Sequence, residues 1–294
     1  MNQKSILVCI FPDLKPNILD RYVLNSVSFA NQFKADIQFL TPPDTQKNLD
    51  DALKKIPSGP LQKVKTLAHL RASGGTEDQP TCDVGKAVKF YSCDLVIIPS
   101  PSKTRSPSKT EIREELSDQA IGPVLILSAQ IDLTKTPIQS LFVPMRGEIR
   151  MSSSLTLALR LASQMNIPVD LLHVIDQRSR TESPMETTGD QPHHEYRQLL
   201  DKILAESCPF SSTQDRSHVR TLYDVQGVPS VEILKAAQDN LSRALIVEWQ
   251  GSLIQGKAET LKKILNQIEV PVFLVRSEPD QVSVLKIGPE NRVA

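Results

Sequence analysis

Residues 153–176 read SSLTLALRLASQMNIPVDLLHVID. The serine run Ser152-Ser153-Ser154 supplies a helix N-cap, and Leu155, Ala158, Leu159 and Ala162 recur at helical spacing behind it. PVDLLHVI, Pro168 to Ile175, then follows as a short aliphatic run of the kind found in parallel strands covered on both faces. Just upstream, SLFVPM, Ser140 to Met145, has the same character. Strand, helix, strand in this order is the unit of a parallel sheet with helices against it.

Working outward, the same unit opens the chain. SILVCIF, Ser5 to Phe11, is a strand-like run; Leu19, Val23, Val27 and Ala30 mark one face of a helix; ADIQFL, Ala35 to Leu40, is the next strand. The two halves also close alike. CDLVIIPS, Cys93 to Ser100, is followed at a helix's distance by IGPVLILS, Ile121 to Ser128, and RALIVEWQ, Arg243 to Gln250, is followed by EVPVFLVR, Glu269 to Arg276. In each closing run a proline stands at the strand start, where its missing N–H costs little. The reading is a tandem repeat, each half alternating five strands with four helices. We place the halves at residues 1–131 and 137–277, joined by Asp132 to Thr136, with 278–294 as a tail in which Val282, Val284 and Ile287 are the residues able to dock. Leu70 to Pro80 reads as exposed. Arg178 to Pro192, polar with a single large apolar residue, reads as a disordered insertion before a helix around Tyr196, Leu199, Leu200 and Ile203.

Composition excludes several classes. At about 150 residues per domain, 294 residues make two domains, long enough for a core without disulfides or metals. Lys plus Arg and Asp plus Glu are both 34, so the net charge is zero and no nucleic-acid or polybasic membrane surface is expected. The run from Ile6 to Phe11 is too short for a leader core or a membrane helix, and no apolar run reaches 18 residues, so we expect a cytoplasmic chain without membrane insertion. Cys9, Cys82, Cys93 and Cys208 form no CxxC pair, which argues against zinc and redox motifs. Cys9 reads as a core thiol.

The segments quoted above resemble the universal stress protein family in its tandem two-domain form, from about Lys4 to Arg276. The resemblance implies two doubly wound, open, parallel five-stranded α/β sheets of the adenine nucleotide alpha-hydrolase-like type, paired as a pseudo-two-fold unit. In that pairing Val124–Leu127 and Val272–Val275 run antiparallel. It also implies where a nucleotide would sit. In nucleotide-binding members an Asp ends the first strand, and a glycine-bearing loop after the fourth strand wraps the phosphates. Glycine lets backbone N–H groups approach closely and the next helix adds its dipole.

Both halves depart from that pattern. In the first, Phe11 replaces the Asp, and the loop PSKTRSPSKTE, Pro101 to Glu111, has no glycine; it offers only side chains such as Ser102, Lys103, Thr104, Ser106, Ser108 and Lys109. In the second, Arg146 followed by Gly147 replaces the Asp, and EWQGSLIQGKAET, Glu248 to Thr260, places Gly251 and Gly256 five apart. The nucleotide candidates are therefore Gly251, Ser252, Gly256, Lys257 and Arg146; equally, the two glycines read as a turn and a helix start. Trp249 stands where the family carries a small residue, and reads as filling the pocket. His173 reads as a satisfied core histidine; His193 and His194, being adjacent, make a poor metal pair, and His69 and His218 have no ligand neighbours at metal spacing. No Gly-x-Ser-x-Gly elbow, carboxylate pair or Cys-His pair points to catalysis, so catalytic and metal residues are assigned to none.

The expected function is a non-catalytic tandem universal stress protein in stress-linked regulation or protein interaction, acting on an unknown protein partner or as a homo-oligomer, with no cofactor. The alternative is an adenine-nucleotide sensor or slow ATPase that binds ATP in the second half only. A third class is a detached relative of the cytoplasmic regulatory domains of cation transporters, which share this fold.

Overall fold

The computed structural model describes residues 4–10, 14–41, 43–56, 64–68, 93–100, 122–145, 152–175, 201–205, 208, 211–249 and 259–276. The first half contributes β1 (Ser5–Cys9), α1 (Pro16–Phe33), β2 (Asp36–Thr41), α2 (Gln46–Lys54), β3 (Val64–Ala68), β4 (Leu95–Pro99) and β5 (Val124–Leu127). The second contributes β6 (Ser140–Met145), α3 (Ser153–Met165), β7 (Val169–Ile175), β8 (Val219–Gln226), α4 (Pro229–Gln238), β9 (Arg243–Trp249), α5 (Glu259–Gln267) and β10 (Val272–Arg276). A helical turn at Thr213–Arg216 precedes β8, and residues 201–205 are helical, with Ile203 buried as its spacing suggested.

The repeat is plain in the two opening units. Pro16 starts α1, and the Ser152 hydroxyl caps α3 by accepting the Leu155 N–H at 3.2 Å. Both helices end on a left-handed residue, Lys34 at φ 55° and Asn166 at φ 53°, whose N–H returns to the last turn. The strands that follow are parallel to their predecessors: β1 pairs β2, and β6 pairs β7.

Among the described residues the two expected sheets merge into one of ten strands, in the order β3-β2-β1-β4-β5-β10-β9-β6-β7-β8. Every neighbouring pair is parallel except the central one, where Val272, Phe273 and Leu274 run antiparallel to Ile126, Leu125 and Val124. That junction removes two inner edges, each otherwise a row of unpaired backbone groups. It is welded by aromatic packing: Phe29 of α1 lies 5.8 Å, centroid to centroid, from Phe273 of β10, and both are fully buried. β1, β4, β5 and β10 are buried almost end to end, as double-sided coverage requires.

The proline expectation needs a small correction. Pro123 and Pro271 stand one residue before β5 and β10, where their carbonyls accept from Val96 and Leu245. The third strand of each half, β3 and β8, carries polar residues among its apolar ones and lies at an outer edge, so no continuous aliphatic run marks it in the sequence.

The connector between the halves is held tightly. Asn25 of α1, fully buried, donates to the carbonyls of Ser128 at 3.3 Å and Ile131 at 2.7 Å, and accepts the Leu133 N–H at 3.0 Å. One turn on, Ser28 reaches the Leu133 carbonyl; another turn on, Gln32 reaches that of Ile138 at 2.6 Å. Ile131, Leu133 and Ile138 are buried beneath this polar ridge. The stretches 70–80, 178–192 and 278–294 lie outside the described residues.

Candidate functional site

In a doubly wound sheet a ligand lies at the carboxyl ends of the strands, where chain connections leave in opposite directions. Here those points are β1/β4 and β6/β9. The β1–β4 ladder stops at Val8–Ile97, and the β6–β9 ladder at Phe142–Leu245; beyond them the strands part.

In the first half, Tyr22 of α1 occupies the parting. It is fully buried, and its hydroxyl reaches the carbonyl oxygens of Cys9 at 3.2 Å and Ile97 at 3.0 Å. A phenol there satisfies carbonyls that the interrupted ladder leaves over, and fills their space with a ring. Cys9 beside it is buried, as expected of a core thiol.

In the second half, the parting is closed by Glu248, the penultimate residue of β9. One carboxylate oxygen accepts both the Ser154 backbone N–H and the Ser152 hydroxyl, each at 2.8 Å. The start of α3 therefore already holds a negative charge belonging to the protein. Ser152 is shared between Glu248, the Ser154 hydroxyl at 3.0 Å and the Leu155 N–H, and Thr156 turns its hydroxyl back to the Ser152 carbonyl at 2.9 Å. Thr156 also lies 3.5 Å from the Cys208 sulfur. Burial pushes the Cys208 thiol up, with the Glu248 charge adding to it against hydrogen bonds from Thr156 and Ser211 and the charge of Arg216. The thiol is thus kept protonated and unreactive. Trp249 is only 6% exposed at the end of β9.

The sequence candidates Arg146, Gly251, Ser252, Gly256 and Lys257 lie outside the described residues, as does the loop bearing Ser102 to Lys109. Their flanks are placed: Met145 ends β6, Trp249 ends β9 and Glu259 begins α5. These flanks do not fit a phosphate well. Two N–H groups at the start of α3, on Ser154 and Leu155, are taken, and the nearest ionised side chain on β9 is an anion. His173 is 5% exposed, opposite Met145 in the ladder, as a core histidine. His218 sits in the turn before β8, and its carbonyl accepts the Val169 N–H. His69, His193 and His194 are outside the described residues, among which no three His, Cys, Asp or Glu side chains gather as metal ligands.

Sequence reading missed the two side chains that matter most here. Tyr22 is one buried position on an amphipathic helix, and Glu248 one acid in an apolar strand. The only signal for Glu248 was an acid standing inside RALIVEWQ, where every other position but the ends is apolar.

Residues 143–276 match the model of the Universal stress protein family. A universal stress protein from Archaeoglobus fulgidus DSM 4304 is similar over 94% of this chain and 97% of its own, at 15% identity and a TM-score of 0.55. A functionally unknown protein from Pseudomonas aeruginosa PAO1 is similar over 96% of this chain and 95% of its own, at 16% identity and a TM-score of 0.54. No curated protein matches the sequence. The family match covers the second half of the chain, and the whole-length likeness shows the same fold through the first half. Among the described residues no helix is long and apolar enough to cross a membrane.

Proposed function

We propose that this chain is a non-catalytic tandem universal stress protein, acting in stress-linked regulation or protein interaction rather than by turning over a nucleotide. The observation that carries this reading is the Glu248 carboxylate on the N-terminus of α3, at the β6/β9 parting. A phosphate brought there meets a like charge and finds donors already used. The buried Tyr22 plays the corresponding part in the first half. Among the described residues Cys93 and Cys208 are free thiols, which suits a reducing compartment, so we place the protein in the cytoplasm.

The competing reading, an ATP-binding sensor or slow ATPase using Gly251, Ser252, Gly256, Lys257 and Arg146, is separated by one measurement. Mass spectrometry of small molecules released from purified protein, with ATP titration by calorimetry, should give no adenine nucleotide and no binding heat. Stoichiometric nucleotide, or binding abolished by Gly256→Val with Lys257→Ala, overturns the proposal.

A further inference from the structure

Four large apolar side chains are left exposed among the described residues, Tyr223, Val228, Val231 and Leu241, and three of them belong to α4 and its two ends. Val228 is the N-cap residue, Val231 lies on the first turn and Leu241 just past the last; they are 47%, 55% and 51% exposed. Between α4 and α5 runs a groove of about 380 Å³ lined by Val231, Leu234, Lys235, Gln238, Asp239 and Gln267. Val231 and Leu234 are its apolar residues, and Lys235 and Asp239 give it one cation and one anion.

The chain itself contains a segment with the chemistry to cover this groove. After β10, residues 282–287 read VSVLKI, bounded by Pro279-Asp280 on one side and Gly288-Pro289 on the other. Four of the six, Val282, Val284, Leu285 and Ile287, are apolar, and the fifth, Lys286, is a cation to set against Asp239. A hexamer of this β-prone composition left uncovered is an aggregation hazard. The reach is sufficient. Gln267, at the groove, leads through residues 268–271 into the start of β10, whereas the tail leaves from Arg276 at its far end. The return is therefore one strand of five residues, roughly 17 Å, together with the step of about 10 Å from sheet to helix layer, or roughly 20 Å in a straight line. The six Cα steps from Arg276 to Val282 can cover at most about 20–22 Å, enough to bring Val282 to the groove.

We propose that residues 282–287 dock in cis into the α4–α5 groove, laying Val282, Val284 and Ile287 over Leu234 and Val231. The occupant is the chain's own tail, not a second copy: the exposed apolar area of three side chains falls well below the ~800 Å² per partner of a stable dimer, while a tethered segment needs far less because its effective concentration is high.

Hydrogen–deuterium exchange by mass spectrometry on the full chain tests this. In the wild type, amides of 282–287 should exchange roughly tenfold or more slower than those of 290–294. Val231→Asp, at an exposed position that the fold tolerates, should erase that protection and leave β6, α3 and β7 unchanged. Ile287→Asp should raise exchange in α4 from the other side. Free exchange of 282–287 in the wild type, or protection that Val231→Asp leaves intact, overturns the docking site. Protection that appears only at high protein concentration, together with a dimer in sedimentation, overturns docking in cis in favour of a second copy.

Discussion

The Glu248 carboxylate accepts the Ser154 backbone N–H at 2.8 Å, joining the end of β9 to the first turn of α3 across 94 residues of chain. One side chain thereby caps a helix and closes the β6/β9 parting. Glu248→Ala removes a charged cap and leaves the Ser154 N–H and the Ser152 hydroxyl without their acceptor; we expect a loss of about 1–2 kcal/mol in urea unfolding. Glu248→Gln keeps an oxygen acceptor and loses only the charge at the helix start, so about 0.5 kcal/mol is expected. Equal losses for the two variants would show that the charge, not the acceptor, is what matters.

Tyr22→Phe deletes one hydroxyl in a fully buried setting and leaves the Cys9 and Ile97 carbonyls to share no phenol. The expected cost is about 1–2 kcal/mol, with the fold retained because the ring still packs. Near-ultraviolet circular dichroism of the variant should match the wild type while its urea midpoint falls.

Asn25→Ala removes three hydrogen bonds to the connector at once. A loss of about 3 kcal/mol is expected, since the buried Leu133 N–H and Ile131 carbonyl lose their partner. Limited proteolysis should now cut within 128–138, where the wild type resists. Resistance equal to the wild type would mean that Ile131, Leu133 and Ile138 hold the connector without help.

Asp170 is fully buried on β7 and receives a two-pronged contact from Arg220, Nε to one oxygen at 3.0 Å and Nη2 to the other at 2.7 Å, with Arg243 at 3.6 Å. Asp170→Ala leaves Arg243, largely buried between Phe142 and the Ala236 carbonyl, without its counter-charge. We expect about 3–5 kcal/mol of destabilisation, little reduced by salt because the carboxylate is shielded from solvent.

Burial pushes the Cys93 thiol up to about 12, against a backbone hydrogen bond that lowers it, and pushes Cys208 up as well. Both should therefore resist iodoacetamide at pH 8 in the native state and react in urea. The sign for stability follows from the same shift. Below pH 9 both folded and unfolded thiols are protonated and nothing changes; between pH 9 and 12 the unfolded thiol deprotonates and the folded Cys93 does not, so stability falls as pH rises. Cys93→Ala should flatten that part of the curve.

Periodicity carried most of the architecture. The aliphatic runs around Val96, Leu125, Ile246 and Phe273, repeated in two halves, declare parallel strands because a strand covered on both faces must be apolar at nearly every position. The serine cap at Ser152 declares where α3 begins. β3 and β8 escaped because an edge strand is half solvated and mixes polar with apolar residues; in β8 the pairing is further broken by a register shift opposite Val169 and Asp170.

What the sequence by itself determined is therefore the strand and helix order, the tandem repeat and the resemblance of its second half to a known family, all properties of local pattern. The tertiary structure decided how the halves fuse through β5 and β10, and what occupies the two partings. Tyr22 meets Ile97 across 75 residues, Asn25 meets Leu133 across 108, and Glu248 meets Ser152 across 96. Each is a single polar side chain whose partner is chosen by packing, and a contact made once leaves no period in the sequence to read.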